Sequence, residues 1–249
     1  MKKLLALIAI LVALPLAAQR RRAVDPQPVQ RLLFIGNSLT ASNDLPSMVC
    51  RLAAATRRPA VCSSVAIGGF SLQDHFNDGQ ALRPLRNEKW SIVVLQQGPS
   101  ALESSRVNLR QWTATFAELI RAAGGRPALY AVWPERARID DFDRVSESYR
   151  LAASDVDGLF FPVGDAWLAA WRRDSRLALY GSDDFHPTPA GTYLAALVIY
   201  RVIWGELPPL LTNPNFASTF AGVDLGLTDS RLDILARAAE EAVTTDRAR

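Results

Sequence analysis

Five short apolar runs recur along the chain, at residues 31–35, 60–66, 91–95, 128–132 and 159–163, each suited to a buried strand. Longer stretches with helical period separate or follow them. The clearest covers 107–123, where Trp112, Phe116, Leu119, Ile120 and Ala123 share one stripe. Ser104 and Ser105 stand where a cap belongs, and Gly124–Gly125 ends the pattern. Residues 140–156, 165–174 and 229–243 read as further helices. Residues 188–204 are so apolar that this helix is expected to be packed on both sides, with Gly205 as its stop. Strand and helix alternating one for one implies a parallel sheet, because parallel neighbours are joined by a crossover that covers a face. The expected architecture is therefore α/β, a three-layer α/β/α fold with a five-stranded parallel sheet in the flavodoxin-like order 2-1-3-4-5. In such sheets a ligand lies beyond the carboxyl ends of the strands.

The first residues obey a different rule. Lys2 and Lys3 precede an apolar run from Leu4 to Leu16, closed by Ala17 and Ala18. This is the pattern of a secretory signal peptide over residues 1–18, shorter than the roughly 20 residues of a membrane span. No cysteine follows it to carry a lipid, so no stable membrane anchor is expected after cleavage. The reading is export, to the periplasm or medium. Residues 19–30, with the basic cluster Gln19–Ala23, read as an exposed tail, and 31–249 as a single domain. The formal charge of +3 loses two units with Lys2 and Lys3, leaving +1. Nothing in that balance suggests a nucleic-acid partner. Cys50 and Cys62 are the only cysteines, which rules out a four-cysteine zinc site. In an oxidising compartment they are candidates for one disulfide; two buried thiols is the alternative.

Chemistry has few places to reside. Ser38 follows the first run in "FIGNSLTASNDLP", residues 34–46, ahead of a helix expected from about Asn43 or Asp44. Taken alone it is better read as a turn residue, since a serine hydroxyl is a poor nucleophile without a base. The chain offers two histidines, His75 and His186. His186 has Asp183 three residues before it and Pro187 and Pro189 just after, framing a loop that enters a helix. Asp183 can therefore hold one ring nitrogen while the other faces Ser38, the logic of a Ser–His–Asp triad. A capping cluster of Asp183 and Asp184 is the structural alternative. The HExxH, GxGxxG, P-loop and G-x-S-x-G patterns are all absent, so the sequence gives no reason to expect a metal or nucleotide cofactor.

These residues carry a family resemblance. "GNSL", residues 36–39, resembles the first block of the SGNH (GDSL-like) hydrolase superfamily, with Asn37 where aspartate is common. "AIGGFSL", 66–72, is similar to its second block, and "DDFHP", 183–187, to its last. The resemblance spans most of the chain in the right order. It implies Ser38, His186 and Asp183 as the catalytic set, and the amides of Ser38 and Gly69 as oxyanion donors. The third block departs: "VVLQQGPS", 93–100, has no asparagine. A subset of the superfamily that includes carbohydrate O-acetylesterase-like members has glutamine there, which implies Gln97, or Gln96, as the third donor. His75, on the loop after Gly69, and Trp133, at the end of the fourth strand, are candidates to contact substrate; loop closure and core packing are their respective alternatives.

The resulting expectation is an exported serine esterase that needs no cofactor and hydrolyses short acyl esters, acetyl first, on a small molecule or glycan. The competing reading is a non-catalytic carbohydrate-binding or cell-surface protein that keeps the fold, suggested by the missing block-three asparagine.

Overall fold

A computed structural model describes residues 28–208, 225 and 227–248. The predicted signal peptide, residues 19–27 of the tail and residues 209–214 of the Pro-rich stretch after the apolar helix lie outside the described residues. Strand β1 (Gln30–Gly36) leads through a short helix α1 (Ser38–Ala41) and a 3-10 turn (Ser42–Asp44) into α2 (Leu45–Ala55). Then come β2 (Ala60–Ala66), α3 (Leu72–Asp78), α4 (Leu82–Asn87), β3 (Ile92–Leu95) and α5 (Glu103–Ala122). The second half holds β4 (Arg126–Tyr130), a 3-10 helix (Arg136–Asp141), α6 (Phe142–Asp155), β5 (Leu159–Phe161) and α7 (Val163–Arg173). Helices α8 (Pro189–Trp204) and α9 (Asp229–Arg247) follow.

The five strands form one all-parallel sheet in the order β2-β1-β3-β4-β5, as expected. The central strands β1 and β3 are buried along nearly their whole length, the pattern of a sheet covered on both faces. Helices α3, α5 and α6 pack as one group, and α2, α7, α8 and α9 as another. Every residue of α8 from Ala190 to Tyr200 is buried, because the helix is sandwiched between its neighbours. Thr188 caps it by accepting from the Gly191 amide, and Gly205 ends it with φ +82°. Within the described residues no helix is long and apolar enough to cross a membrane.

Boundaries moved where local chemistry overrode period. Helix α5 starts at Glu103, so Ser104 and Ser105 lie inside its first turn rather than capping it. The fifth strand stops at Phe161, because Val163 already opens α7. Helices α1, α3 and α4, none longer than seven residues, were not anticipated.

Cys50 on α2 and Cys62 on β2 form a disulfide with a Cα–Cα distance of 6.0 Å. It fastens the edge strand to the helix that precedes it. Closing a loop across 12 residues restricts the unfolded chain, an effect of about 3 kcal/mol. Replacing both cysteines by serine is expected to lower unfolding stability by about 2–3 kcal/mol in urea titrations. Non-reducing peptide mapping of the oxidised protein should recover the linked pair; no loss of stability would remove the bridge from the account.

Candidate active site

The carboxyl ends of β1, β2 and β3 meet at the point where strand order reverses, and the candidate residues gather there. Ser38 is the first residue of α1. Asn37 caps that helix, its Oδ1 accepting from the Leu39 amide at 3.1 Å, and its Nδ2 donates to Phe70 O. Gln96, fully buried, holds this turn from below. Its Oε1 accepts from the Asn37 amide at 2.9 Å and the Thr40 hydroxyl at 2.7 Å. Its Nε2 donates to Asn37 Oδ1 and Gln97 O. Gly36 leaves room for this packing: a Cβ there would meet Thr40 Oγ1 at 2.3 Å and Gln96 Oε1 at 2.5 Å.

His186 arrives from the loop between α7 and α8. Its Nδ1 donates to Asp183 Oδ2 at 2.5 Å, and the Ser38 hydroxyl donates to its Nε2 at 2.8 Å. The roles of the ring nitrogens follow from the carboxylate, which favours the proton at Nδ1. Asp183 Oδ1 also accepts from the amides of Phe185 and His186. The His186 side chain and then these two amides hold the carboxyl down at about 2, so it is an anion throughout the neutral range. The loop is tied to the segment after β4: Trp133 Nε1 donates to Phe185 O, and the Arg136 amide donates to Asp184 O. Ser38, His186 and Asp183 are thus brought together in one hydrogen-bonded series.

Gly69 lies in the turn after β2 with φ +78°, a conformation natural to glycine. Among the described residues the amides of Ser38 and Gly69 make no hydrogen bond, and both residues line a cleft of about 590 Å³. Gln97 lines it too, with Oε1 accepting from the Leu72 amide and Nε2 donating to Ser100 Oγ. An amide nitrogen has two hydrogens, so one on Gln97 Nε2 remains for a ligand. Adjacent residues at a strand end point opposite ways; hence Gln97 addresses the cleft while Gln96 is spent on the framework beneath it. Phe70, Pro99, Leu102 and Phe185 supply apolar walls, with Asn108, Glu135 and Arg138 further along.

Two expectations need correction. His75 is fully buried, its Nε2 donating to Gly36 O at 2.7 Å, so it braces the end of β1 instead of meeting substrate. Trp133 is also fully buried and stacks on Trp167 with ring centroids 3.7 Å apart. Its indole N–H is occupied by the histidine loop, so it supports the site from behind. Among the described residues no group of three or more His, Cys, Asp or Glu side chains could hold a metal ion.

Fold and site together define a three-layer α/β/α protein with a Ser–His–Asp series at the carboxyl ends of its strands. No protein-family model matches the chain, and no curated protein sequence does. A solved structure from Slackia heliotrinireducens, assigned as an SGNH hydrolase, is 32% identical over 71% of this chain and 100% of its own, with a TM-score of 0.61. The chain belongs to the SGNH hydrolase superfamily. A DUF4886 family protein from Bacteroides uniformis shares the fold at 18% identity and a TM-score of 0.69, over 87% of this chain and 95% of its own. An acetyl xylan esterase from Geobacillus stearothermophilus shares it at 16% and 0.55, over 72% and 96%.

Burial lowers the pKa of His75 from its ordinary 6.5, with the Gly36 carbonyl opposing that shift. The folded protein then keeps a neutral ring where the unfolded chain would bind a proton. Stability from this residue is therefore complete above about pH 6.5 and is lost as pH falls below it. Urea midpoints should drop between pH 7.5 and 5.5, and His75→Gln should flatten that drop. An equal decline in both proteins would refute the assignment.

Proposed function

We infer that this protein is an exported serine esterase that cleaves short acyl esters, with acetyl groups on carbohydrate as the first candidate. The observation that carries the reading is the unbroken hydrogen-bond series Ser38–His186–Asp183, open to a cleft. In this mechanism His186 Nε2 takes the Ser38 proton as Oγ attacks the ester carbonyl carbon. Asp183 holds the imidazole tautomer and stabilises the imidazolium that forms. The amides of Ser38 and Gly69 and the free hydrogen of Gln97 Nε2 converge on the developing oxyanion. As the tetrahedral intermediate collapses, His186 gives its proton to the leaving alcohol, which leaves an acyl-Ser38. Water, deprotonated by the same nitrogen, then adds to that acyl carbon and releases the acid.

The preference for acetyl rests on two supports: the glutamine in place of the third-block asparagine, and the acetyl xylan esterases among the structures that share the fold. Export rests on the pattern of residues 1–18 alone.

Hydrolysis of p-nitrophenyl acetate, followed by a panel of acetylated glycans and longer acyl esters, tests the reading. Ser38→Ala should remove turnover by about 10⁴–10⁶-fold and abolish labelling by a serine-directed phosphonate, and His186→Ala should cost nearly as much. A wild-type protein that neither turns over short esters nor labels at Ser38 would favour the carbohydrate-binding alternative. Gln97→Ala should lower kcat about 10²–10³-fold with little change in KM. Gln96→Ala should instead show first in melting temperature, because it strands the buried donors that its carbonyl now accepts from. If turnover survives both glutamine changes, backbone amides suffice for the oxyanion.

A further inference from the structure

Asn43 has no part in the machinery above, yet its geometry is unusual. It lies in the 3-10 turn between α1 and α2 with left-handed backbone angles, φ 52° and ψ 22°. Asp44 beside it is left-handed as well, with φ 53° and ψ 55°. Residues with a Cβ seldom adopt this conformation, and asparagine is among those that tolerate it best. Here it turns the side chain away from its own segment. Asn43 Nδ2 donates to Pro187 O and to Thr192 Oγ1, both at 2.9 Å. Pro187 is the residue after His186; Thr192 is a buried residue in the first turn of α8.

Apart from Ser38–His186, these are the only hydrogen bonds among the described residues that join residues 37–44 to residues 178–192. The distinction matters chemically. In the acyl-enzyme Ser38 Oγ is an ester oxygen with no proton to donate, so the Ser38–His186 bond is absent for part of each cycle and cannot be what sets the spacing throughout. We propose that Asn43 is a positioning residue that tethers the histidine loop to α1, keeping His186 Nε2 within reach of Ser38 Oγ while their own bond is unmade. Pro187 directly follows His186, so a bond to its carbonyl holds the backbone next to the imidazole. Both hydrogens of the Asn43 amide are used, so the tether fixes the loop at two points, one of them anchored in the buried helix α8. A misplacement of about 1 Å in such a pair can cost 10²-fold in rate. Asn43 does not line the cleft, so substrate affinity should not feel its loss.

The inference rests on the Ser38–His186–Asp183 reading, and the test separates the two. Asn43→Gly accepts the left-handed backbone and deletes the tether. Asn43→Asp keeps the shape but sets a carboxylate oxygen against Pro187 O. Arg57→Gly, at another left-handed position (φ 58°) beyond α2, controls for relief of backbone strain. Steady-state kinetics on p-nitrophenyl acetate, with Ser38→Ala in parallel, are combined with hydrogen exchange over residues 181–188. Both Asn43 variants should lose about 10–100-fold in kcat, with KM within about threefold. Exchange of the 181–188 amides should rise at least about fivefold while exchange in the strands is unchanged. Arg57→Gly should match the wild type in both. If Ser38→Ala is dead but Asn43→Gly keeps kcat within about twofold, the tether is refuted and the triad stands. A fall in melting temperature with kcat per folded molecule unchanged refutes it equally. If the wild type turns nothing over, the triad reading fails, and exchange decides the tether alone: unchanged protection at 181–188 in Asn43→Gly overturns it, and faster exchange there upholds it.

Discussion

One buried amide organises the end of the central strand. The Gln96 side chain makes all four of its hydrogen bonds, two accepted and two donated, in a place that water does not reach. A buried polar group is costly unless it is satisfied, and satisfied it specifies a single arrangement. Here that arrangement is the exit of the chain from β1, the cap of α1 and hence the direction of Ser38. Gly36 and His75 complete the same corner, one by leaving space and the other by bonding its carbonyl. Everything the cleft presents on this side depends on that corner being closed.

The opposite side is built differently. His186 and Asp183 lie on a surface loop backed by the buried Trp133, and hydrogen bonds from other segments hold its backbone. The Trp133 indole, the Arg136 amide and the Asn43 side chain each take hold of one carbonyl, those of Phe185, Asp184 and Pro187 in turn. Three carbonyls on either side of His186 are thus secured from two other segments of the chain. A buried half and a laced half meet at the 2.8 Å contact between Ser38 and His186.

How much of this the sequence displayed follows from which forces act locally. The strands were visible because parallel strands buried on both faces must be apolar throughout; the helices between them implied parallel pairing, and five such strands suit the flavodoxin-like order. Residues 183–187 were legible as well, since an aspartate three residues from a histidine before a proline is a local constellation. The resemblance left Gln97 and Gln96 as alternatives, and alternation required that they turn to different sides; they do, one bonding around Asn37 and the other at Leu72 and Ser100. His75 and Trp133 misled because polarity or aromatic size near a strand end does not reveal which way a side chain turns. His75 is drawn inward by the bare carbonyl of Gly36, and Trp133 by the face of Trp167. Asn43 marks only the expected start of a helix in the sequence, since its partners lie 144 and 149 residues away. The short helices α1, α3 and α4 were missed because they are too brief for a periodic stripe; side-chain caps mark two of them instead, Asn37 at α1 and the reciprocal Ser71–Asp74 pair at α3.

The separation of 148 positions between Ser38 and His186 carries a further consequence. A polypeptide emerging from the ribosome, or one threaded through a translocation channel, holds the serine long before the imidazole can join it. Until α8 has docked and drawn its preceding loop over α1, the hydroxyl is an ordinary alcohol in an incomplete corner. The chemistry of the finished cleft is consequently a property of the whole sheet, withheld from every partly assembled form. Hydrolysis regained along a refolding time course would then report the closure of this one contact, a signal separate from the circular dichroism of the helices.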